Sequence, residues 1–214
     1  MWLNIHTMQT INQWAVPFYH YRWDEHEFYQ KALKAVCDDQ QAAGIQSGVA
    51  PEVKSMLYES RFDFCTIKNP AVEKLTKFIQ NSIFQSAADA NQRYWQPGWK
   101  LGVAIDESWC HITKTHGHHD HHCHPNHSWS AVYYLDVGEC DMEKKSGVTR
   151  FYRPWETSYQ DPGTLYVTDN SSIDINCQNG MLFVFPSWIM HSQLPYRGTK
   201  DRYVIAVNAK IISG

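Results

Sequence analysis

Apolar positions near the start of the chain recur at helical spacing in two segments. The first, residues 24–42, opens with acidic residues, ends near Gly44, and has the apolar positions Phe28, Ala32, Leu33, Val36 and Cys37. The second runs from Asn69-Pro70 to about residue 92, where a proline in the first turn suits a helix start. Its apolar positions are Ala71, Leu75, Phe78, Ile79 and Ile83. Both stripes predict amphipathic helices packed on a core.

Strand-like runs dominate the rest of the chain. Residues 14–22 predict an edge strand because Pro17 cannot donate a ladder hydrogen bond. Residues 45–70 predict irregular structure, with a short helical turn at 53–58. From Trp95 onward, β-branched and aromatic runs alternate with turn signals, and three of them at 97–105, 108–115 and 119–125 predict separate strands. Asn179-Gly180, between two further runs, predicts a hairpin.

These patterns predict a mainly β protein with two N-terminal helices and about eight to ten short antiparallel strands in a sandwich or barrel. With 214 residues and 43% hydrophobic content, the chain is long enough for one globular domain with a sizeable core. We expect a single domain over 1–214, in which residues 1–95 form a buttress of helices and an edge strand. Residues 96–214 then form the β core.

Composition excludes several classes of function. A net charge of −3 gives no electrostatic basis for binding nucleic acid or an anionic membrane. No apolar run approaches the ~20 residues of a spanning helix, and the N-terminus lacks the basic start and apolar stretch of a signal peptide. The six cysteines are scattered and predict reduced thiols. We therefore expect a soluble cytoplasmic protein.

The candidate chemistry lies in a histidine-rich tract at residues 111–127, which holds eight of the twelve histidines. Neutral imidazole is a common metal ligand, although a solvated His-rich loop would have the same composition. The tract leads into SAVYYL (130–135), a strand-like run that would hold it rigidly. Because side chains alternate along a strand, His118, Asp120, His122 and His124 would share one face. His119, His121 and Cys123 would share the other face, so Cys123 is a weak candidate ligand.

A metal held by two histidines of this strand needs a third ligand from elsewhere. His191, just after the apolar run at 181–186, is the best candidate in the sequence. The tract and His191 together predict a metal site with at least three ligands.

The combined C-terminal pattern resembles a known family. The chain has Gly117, then His122-x-His124-Pro125, then Ser130-Ala131-Val132-Tyr133-Tyr134, an FPSW element ending at His191, and an arginine eleven residues later. This order is similar to that of a small bacterial and phage branch of the 2-oxoglutarate- and Fe(II)-dependent oxygenases. The resemblance implies a double-stranded β-helix, which is a cupin-like jelly-roll with the metal in its mouth, and Fe(II) and 2-oxoglutarate as cofactors.

The resemblance leaves the ligand set open. The wider superfamily uses two histidines and one carboxylate, His-x-Asp/Glu and a distal His, but this chain has His124 at the carboxylate position. We favour His122, His124 and His191, because Pro125 and the following strand fix the register. Asp120 could instead supply the carboxylate, or His118 and Asp120 could act with His191 as the His-x-Asp pair.

The resemblance also implies further site residues. Arg202 would hold the distal carboxylate of 2-oxoglutarate, since a guanidinium pairs bidentately with a carboxylate. The serine usual two residues later is Val204 here, so Tyr133 or Tyr134 could supply the missing hydrogen bond. Weaker candidates at the cavity or its mouth, for binding substrate, are His119, His127, Trp129, Arg150 and Asn208.

The implied reaction is the oxidation, typically hydroxylation, of an unidentified small-molecule or peptide substrate, with 2-oxoglutarate converted to succinate and CO₂. One alternative is a three-histidine cupin-type dioxygenase that does not use 2-oxoglutarate. The other is a non-catalytic metal-binding barrel, although a structural zinc site usually has four closed protein ligands. The sequence gives no indication of oligomeric state.

Overall fold

The computed structural model describes residues 15–48, 54–155, 161–167 and 171–213. Its strands form one curled antiparallel sheet in the order β1-β7-β4-β9-β3-β8-β5-β6, with β2 paired to β3. The strands are β1 (Tyr19–Arg22), β2 (Lys54–Glu59), β3 (Leu101–His122), β4 (Trp129–Asp136), β5 (Thr149–Tyr152), β6 (Ser172–Ile175), β7 (Met181–Pro186), β8 (His191–Gln193) and β9 (Arg202–Ser213). The mainly β jelly-roll expected from the sequence is confirmed.

The longest strand, β3, joins the two halves of the sheet. Its first part pairs with β9 from Leu101 to Thr113, and its end pairs with β8 at His119 and His122. The prediction of three separate strands over this stretch is wrong. His116 adopts a positive φ of 70° and Gly117 follows it, but the chain continues in the same direction. The turn-like residues therefore produce a local irregularity in one bent strand instead of a reversal.

Alternation along the strands separates two cores. In β4, β7 and β9, the side chains of Tyr133, Leu182, Val184, Ile205 and Val207 join the core beneath the helices. Their sequence neighbours Tyr134, Phe183, Phe185 and Val204 join a second core inside the curled sheet. The inner core lies beside the candidate site, so alternation decides which residues can reach it.

The two helices cover the outer face of the sheet. Helix α1 spans His26–Ala42 and buries Leu33, Val36 and Cys37, whereas Phe28 is 79% exposed and Ala32 is also exposed. The predicted stripe of α1 is therefore wrong at its first two positions. Helix α2 spans Pro70–Ala90, is capped by the Asn69 side chain on the Ala71 amide, and buries the stripe that the sequence predicts, with Phe78 partly buried.

Two local predictions fail. Residues 54–59 form β2 rather than a helical turn, because pairing with β3 overrides the weak local preference. Asn179-Gly180 does form a turn, with Gly180 at φ 78°, but the flanking strands do not pair with each other. Strand β6 pairs with β5 and β7 pairs with β1 and β4, as in a jelly-roll connection that crosses between sheets.

Strands β1 and β2 of the predicted buttress belong to the same sheet as the C-terminal strands. Strand β1 lies at the sheet edge, as expected, and its predicted first residue, 14, lies outside the described residues. The single-domain boundaries and the cytoplasmic location stay predictions. Within the described part of the chain, no helix combines the length and the apolar character that crossing a membrane requires.

The bend in β3 generates a stability prediction. A Cβ atom on Gly117 would lie 2.5 Å from the Met56 carbonyl oxygen and 2.8 Å from that of Lys114. Since backbone atoms cannot swing aside, we expect Gly117→Ala to lower the free energy of unfolding by about 1–3 kcal/mol in urea denaturation. The matched control is Gly102→Ala in the same strand, where the new Cβ would meet only Ile212 at 3.9 Å. Equal effects of the two substitutions would contradict the prediction.

Candidate active site

Three imidazoles meet where β3 ends and β8 begins. His122 and His191 are direct partners in the β3–β8 pairing, and His124 follows two residues after the end of β3. One ring nitrogen from each lies within 4.8 Å of the others. The ring centroids are 4.3 Å apart for His122 and His191, 5.0 Å for His122 and His124, and 5.1 Å for His124 and His191. These separations suit three ligands of one metal ion.

Backbone carbonyls orient two of the rings. Nδ1 of His122 hydrogen-bonds the Asp120 carbonyl at 2.6 Å, and Nδ1 of His191 hydrogen-bonds the Ile189 carbonyl at 3.0 Å. A carbonyl can only accept, so both Nδ1 atoms carry the proton and both Nε2 atoms keep a lone pair. Hydrogen bonds of this kind fix the tautomer of metal-binding histidines. The His124 backbone is held by its amide on the Ser187 carbonyl.

The three imidazoles are neutral at physiological pH. Burial, followed by the charge of His119, lowers the pKa of His122 to about 4. Burial, followed by the charge of His122, lowers the pKa of His124 to about 3. Burial also lowers the pKa of His191 well below its usual value. Because a histidine must be unprotonated to bind a metal, all three are in the required state.

The predicted strand faces hold only in part. Between the pairs His119–Gln193 and His122–His191, two residues of β3 oppose one residue of β8, which is a bulge. The bulge brings the His119 ring to 4.1 Å from His122, although alternation predicts opposite faces. Asp120 is exposed, with its carboxylate 3.7 Å from Nε2 of His118. The side chains of Asp120, His118 and Cys123 therefore do not belong to the group of converging ligand atoms that the three imidazoles form.

A small cavity of about 50 Å³ runs from the three histidines into the curled sheet. Arg202, Gln193, Thr149 and Asn208 line it together with apolar side chains such as Phe185. Arg202 is 1% exposed, and its Nη1 donates to Gln193 Oε1 at 2.9 Å. Within the described residues, its buried Nε has no hydrogen-bond partner. The cavity thus joins a cluster of neutral imidazoles to an incompletely bonded guanidinium.

Because side chains alternate along β4, Tyr133 and Tyr134 point to opposite faces of the sheet. Tyr134 lies in the inner core, donates its hydroxyl to Thr149 at 3.0 Å, and has the Arg202 guanidinium 5.7 Å from its ring centroid. Tyr133 points to the helices, where its hydroxyl hydrogen-bonds His26 Nδ1 at 2.7 Å. The expectation that Tyr133 contacts the cosubstrate is therefore wrong, and Tyr134 acts on the cavity only through its neighbours.

The weaker candidates divide in the same way. Asn208 lines the cavity, where it accepts a hydrogen bond from Ser130 at 2.7 Å and donates to Glu107 at 2.8 Å. Trp129 has the parity of Tyr133 and packs in the helix-side core, with its ring 6.0 Å from that of Tyr19. Its assignment to the cavity mouth is wrong.

Two further candidates lie away from the cavity. Arg150 faces outward from β5 and makes a bidentate pair with Asp174, at 2.7 and 2.9 Å. The assignment of Arg150 to the cavity is therefore wrong. The side chain of His127 is 8% exposed, and its Nε2 lies 3.5 Å from Asp106. His127 does not line the cavity, but its charge helps to lower the pKa of His124, so its role near the site stays a prediction. His119, by contrast, lines the cavity.

Sequence reasoning missed four polar residues beside the site. Gln193 and Thr149 were not singled out, although Gln193 follows His191 by two residues and so has the same strand parity. Glu59 and His111 hydrogen-bond each other at 2.7 Å. Glu59 lies in a segment predicted to be irregular, so no sequence pattern linked it to the histidine tract.

Comparisons with known proteins agree with this architecture. Residues 107–208 match the profile of a family described as "Putative 2OG-Fe(II) oxygenase". No curated protein sequence matches the chain. The prolyl-4-hydroxylase structure of Pseudomonas putida is similar with 17% identity and a TM-score of 0.57, over 91% of this chain and 92% of that one.

Two other structures have known ligands. A prolyl hydroxylase from Trichoplax adhaerens, in complex with a peptide fragment of hypoxia inducible factor, is 12% identical with a TM-score of 0.58, over 90% and 83% of the two chains. HygX from Streptomyces hygroscopicus, with nickel, 2-oxoglutarate and hygromycin B bound, is 13% identical with a TM-score of 0.56, over 91% and 83%. At such identities the likeness establishes the fold.

A double-stranded β-helix with imidazoles clustered at one end of its cavity is an architecture suited to a metal ion bound inside a jelly-roll. The family match makes the class more specific: residues 107–208 match a domain of the 2-oxoglutarate- and Fe(II)-dependent oxygenases. The expected enzyme class and its two cofactors are thereby confirmed at the level of the family. This result weighs against both alternatives, the dioxygenase that does not use 2-oxoglutarate and the non-catalytic barrel.

The geometry predicts which histidines retain metal. We expect His122→Ala to weaken anaerobic Fe(II) binding by more than about a hundredfold, because losing even an outer partner of a ligand costs about 10–100-fold. His118→Ala, a partly exposed histidine of the same tract, is the matched control and should bind Fe(II) normally. Equilibrium dialysis with iron analysis measures both. Equal losses would indicate casual binding by the whole tract.

The lowered pKa values predict a pH effect on the metal-free protein. Unfolded histidines titrate near 6.5, whereas His122 and His124 do so near 4 and 3 in the folded chain. The unfolded state therefore binds more protons between these values, and stability falls as pH drops below about 6.5. We expect urea denaturation to give a lower free energy of unfolding at pH 5.5 than at pH 7.5. The difference should reach about 1 kcal/mol for each histidine. If the three-histidine cluster causes the pH dependence of stability, the difference between the two pH values should be smaller in His124→Asn than in the wild-type protein.

Proposed function

We propose that His122, His124 and His191 bind Fe(II), that Arg202 binds the distal carboxylate of 2-oxoglutarate, and that the enzyme oxidises a C–H bond of a small-molecule or peptide substrate. Bound iron would supply O₂ activation coupled to the conversion of 2-oxoglutarate to succinate and CO₂. The protein's own part is to hold the ligands, bind the cosubstrate and exclude water from the cavity.

The donor set fits an iron site with open positions. Three neutral nitrogen donors from the end of one strand and the start of another leave the remaining coordination positions free for cosubstrate and O₂. A structural zinc site would close the fourth position with a further protein ligand. Cys123 and Asp120, the nearest candidates in sequence for such a ligand, are not grouped with the three imidazoles.

Arg202 is the observation on which the proposal depends. A buried guanidinium without a counter-ion is costly, because its desolvation is not offset by a carboxylate. The described residues supply Arg202 with an amide oxygen from Gln193, and its buried Nε has no partner. A bidentate carboxylate would satisfy both its charge and its donors. The same guanidinium lines the cavity that the three histidines line.

The position of Gln193 supports a dicarboxylic acid as the ligand. Gln193 follows His191 by two residues on β8, so their side chains share a face and lie about 7 Å apart along the strand. Because Gln193 holds Arg202, the guanidinium lies one such step further into the cavity than the metal ligand. A short diacid bound to iron at one end would place its other carboxylate at Arg202.

Residues around this path control the cavity's polarity. Val132, Phe185, Val204 and Ala206 line it and would exclude water from the cosubstrate, with Val204 at the position where the resemblance implies a serine. Thr149 also lines the cavity and is oriented by Tyr134, so its hydroxyl is placed to provide the hydrogen bond that Val204 cannot make.

We infer the class of substrate from a groove that leads from the protein surface to the histidines. A groove of about 250 Å³ runs along Glu59, Phe62, Trp109 and His121 to His122 and His124. Its mixed aromatic and polar lining suits a small molecule or a peptide side chain. Two similar structures hold a peptide fragment and hygromycin B, which supports the same range of substrates.

The proposal predicts cosubstrate binding. Anaerobic titration of the Fe(II)-loaded protein with 2-oxoglutarate should give a saturable visible charge-transfer band. Arg202→Gln should weaken binding by about 10–100-fold, since a hydrogen bond to a charged group contributes about 1.5–3 kcal/mol. His122→Ala should abolish the band.

Arg150→Gln is the matched control, because it removes an arginine that pairs with Asp174 outside the cavity. It should leave the titration unchanged. An iron-loaded protein that shows no band, or equal weakening in the two arginine variants, would contradict the proposed cosubstrate site.

A further inference from the structure

A second cluster of metal-binding side chains lies beside the three histidines. Glu59 at the end of β2 and His111 and His119 on β3 each place one ligand atom within 4.8 Å of the others. Nε2 of His111 is 2.7 Å from Glu59 Oε2, and Nε2 of His119 is 3.9 Å from the same oxygen. The Glu59 side chain is 3% exposed, and the two histidine side chains are 10% and 12% exposed. Two imidazole nitrogens thus converge on one buried carboxylate oxygen.

The indole of Trp109 also contacts this cluster. Its Nε1 donates to His111 Nε2 at 2.9 Å, and the same nitrogen lies 2.7 Å from Glu59 Oε2. Because Nε2 has one lone pair, a metal ion bound at this nitrogen would replace the hydrogen bond from Trp109.

The distances are close to those of a bound ion. Metal–nitrogen and metal–oxygen bonds of about 2.0–2.2 Å place neighbouring ligand atoms about 2.9–3.5 Å apart. The observed separations of 2.7 and 3.9 Å lie on either side of this range, so shifts of a few tenths of an ångström suffice. Ser47 donates to Oε1 of Glu59 and leaves Oε2 directed at the histidines.

An ion can reach this cluster from solvent. Glu59 and His119 line the groove described above, which also carries the carboxylates of Glu107 and Asp120. These negative charges would favour entry of a cation. The His119 ring is 5.6 Å from that of His111 and 4.1 Å from that of His122, so the second cluster borders the first.

We propose that Glu59, His111 and His119 bind a second divalent transition-metal ion, separate from the ion at His122, His124 and His191. Two imidazoles and one carboxylate form a donor set that zinc and iron both accept. The site is built by the pairing of β2 with β3, in which Glu59 opposes His111 directly. Its ligands are distinct from those of the proposed iron site, so each site can be removed alone.

The test counts ions bound by the metal-free protein in equilibrium dialysis against Co²⁺ alone. We expect two Co²⁺ per wild-type chain, one in Glu59→Gln and one in His124→Ala. Asp120→Asn, which removes an exposed carboxylate of the same groove, is the matched control and should still bind two. Circular dichroism checks folding, and His119→Gln replaces Glu59→Gln if that variant does not fold.

Three results would overturn the second site: one ion per wild-type chain, two ions in Glu59→Gln, or the loss of both ions in each of the two variants. The 2-oxoglutarate titration separates this outcome from the proposed function. Glu59→Gln loaded with Fe(II) should keep the charge-transfer band, whereas His124→Ala should lose it. Two bound ions without any band would support the second site and contradict the oxygenase site.

Discussion

The pairing of β3 with β8 is the constraint on which the candidate site depends. It places His122 directly opposite His191, and the short loop after β3 returns His124 to the same point through the bond to Ser187. Backbone hydrogen bonds, rather than mobile loops, therefore set the ligand spacing. A site built on strands is held more precisely than one built on loops, which matters because misplaced ligands cost both metal affinity and activity.

The same pairing couples the metal end of the cavity to the cosubstrate end. Strand β8 carries His191 and Gln193 on one face, and Gln193 holds Arg202 from β9. Thr113 of β3 donates to the same Gln193 oxygen, so three strands meet at this amide. In this arrangement the buried Nε of Arg202 has no hydrogen-bond partner among the described residues. Its incomplete bonding is a cost to the folded state that binding an anion would offset.

The sequence predicted the parts of the site that depend on the spacing of residues along the chain. It failed where the position of a side chain depends on which face of a strand points inward, or on which strands pair. His122, His124, His191 and Arg202 were found because a short motif and a fixed interval locate them. Alternation required one of Tyr133 and Tyr134 to face inward, but only the packing of the helices determines which one. Trp129 lies four residues before Tyr133 on the same strand, so it also points towards the helices.

Other misses have different physical causes. The bulge in β3 reverses the predicted face of His119, and no residue pattern marks its position. Glu59 escaped notice because the local sequence of β2 has no strong preference, and its neighbours in space are about fifty residues away in the chain. The fold class was easier to predict, since many short apolar runs with turn residues between them have few alternatives.

The charge of the three-histidine set links the two clusters. Replacing the usual carboxylate ligand by His124 raises the charge of an occupied iron site by one unit. The negative charge absent from the ligand set is present nearby on Glu59, which is buried in the neighbouring cluster. Burial is the main cause of the low pKa of His122, whereas Glu59 acts in the opposite direction and raises it. Glu59 is therefore close enough to act electrostatically on the iron ligands, and a cation bound at Glu59 would remove that influence. Occupancy of the second cluster would thus alter the electrostatics of the first without changing any of its ligands.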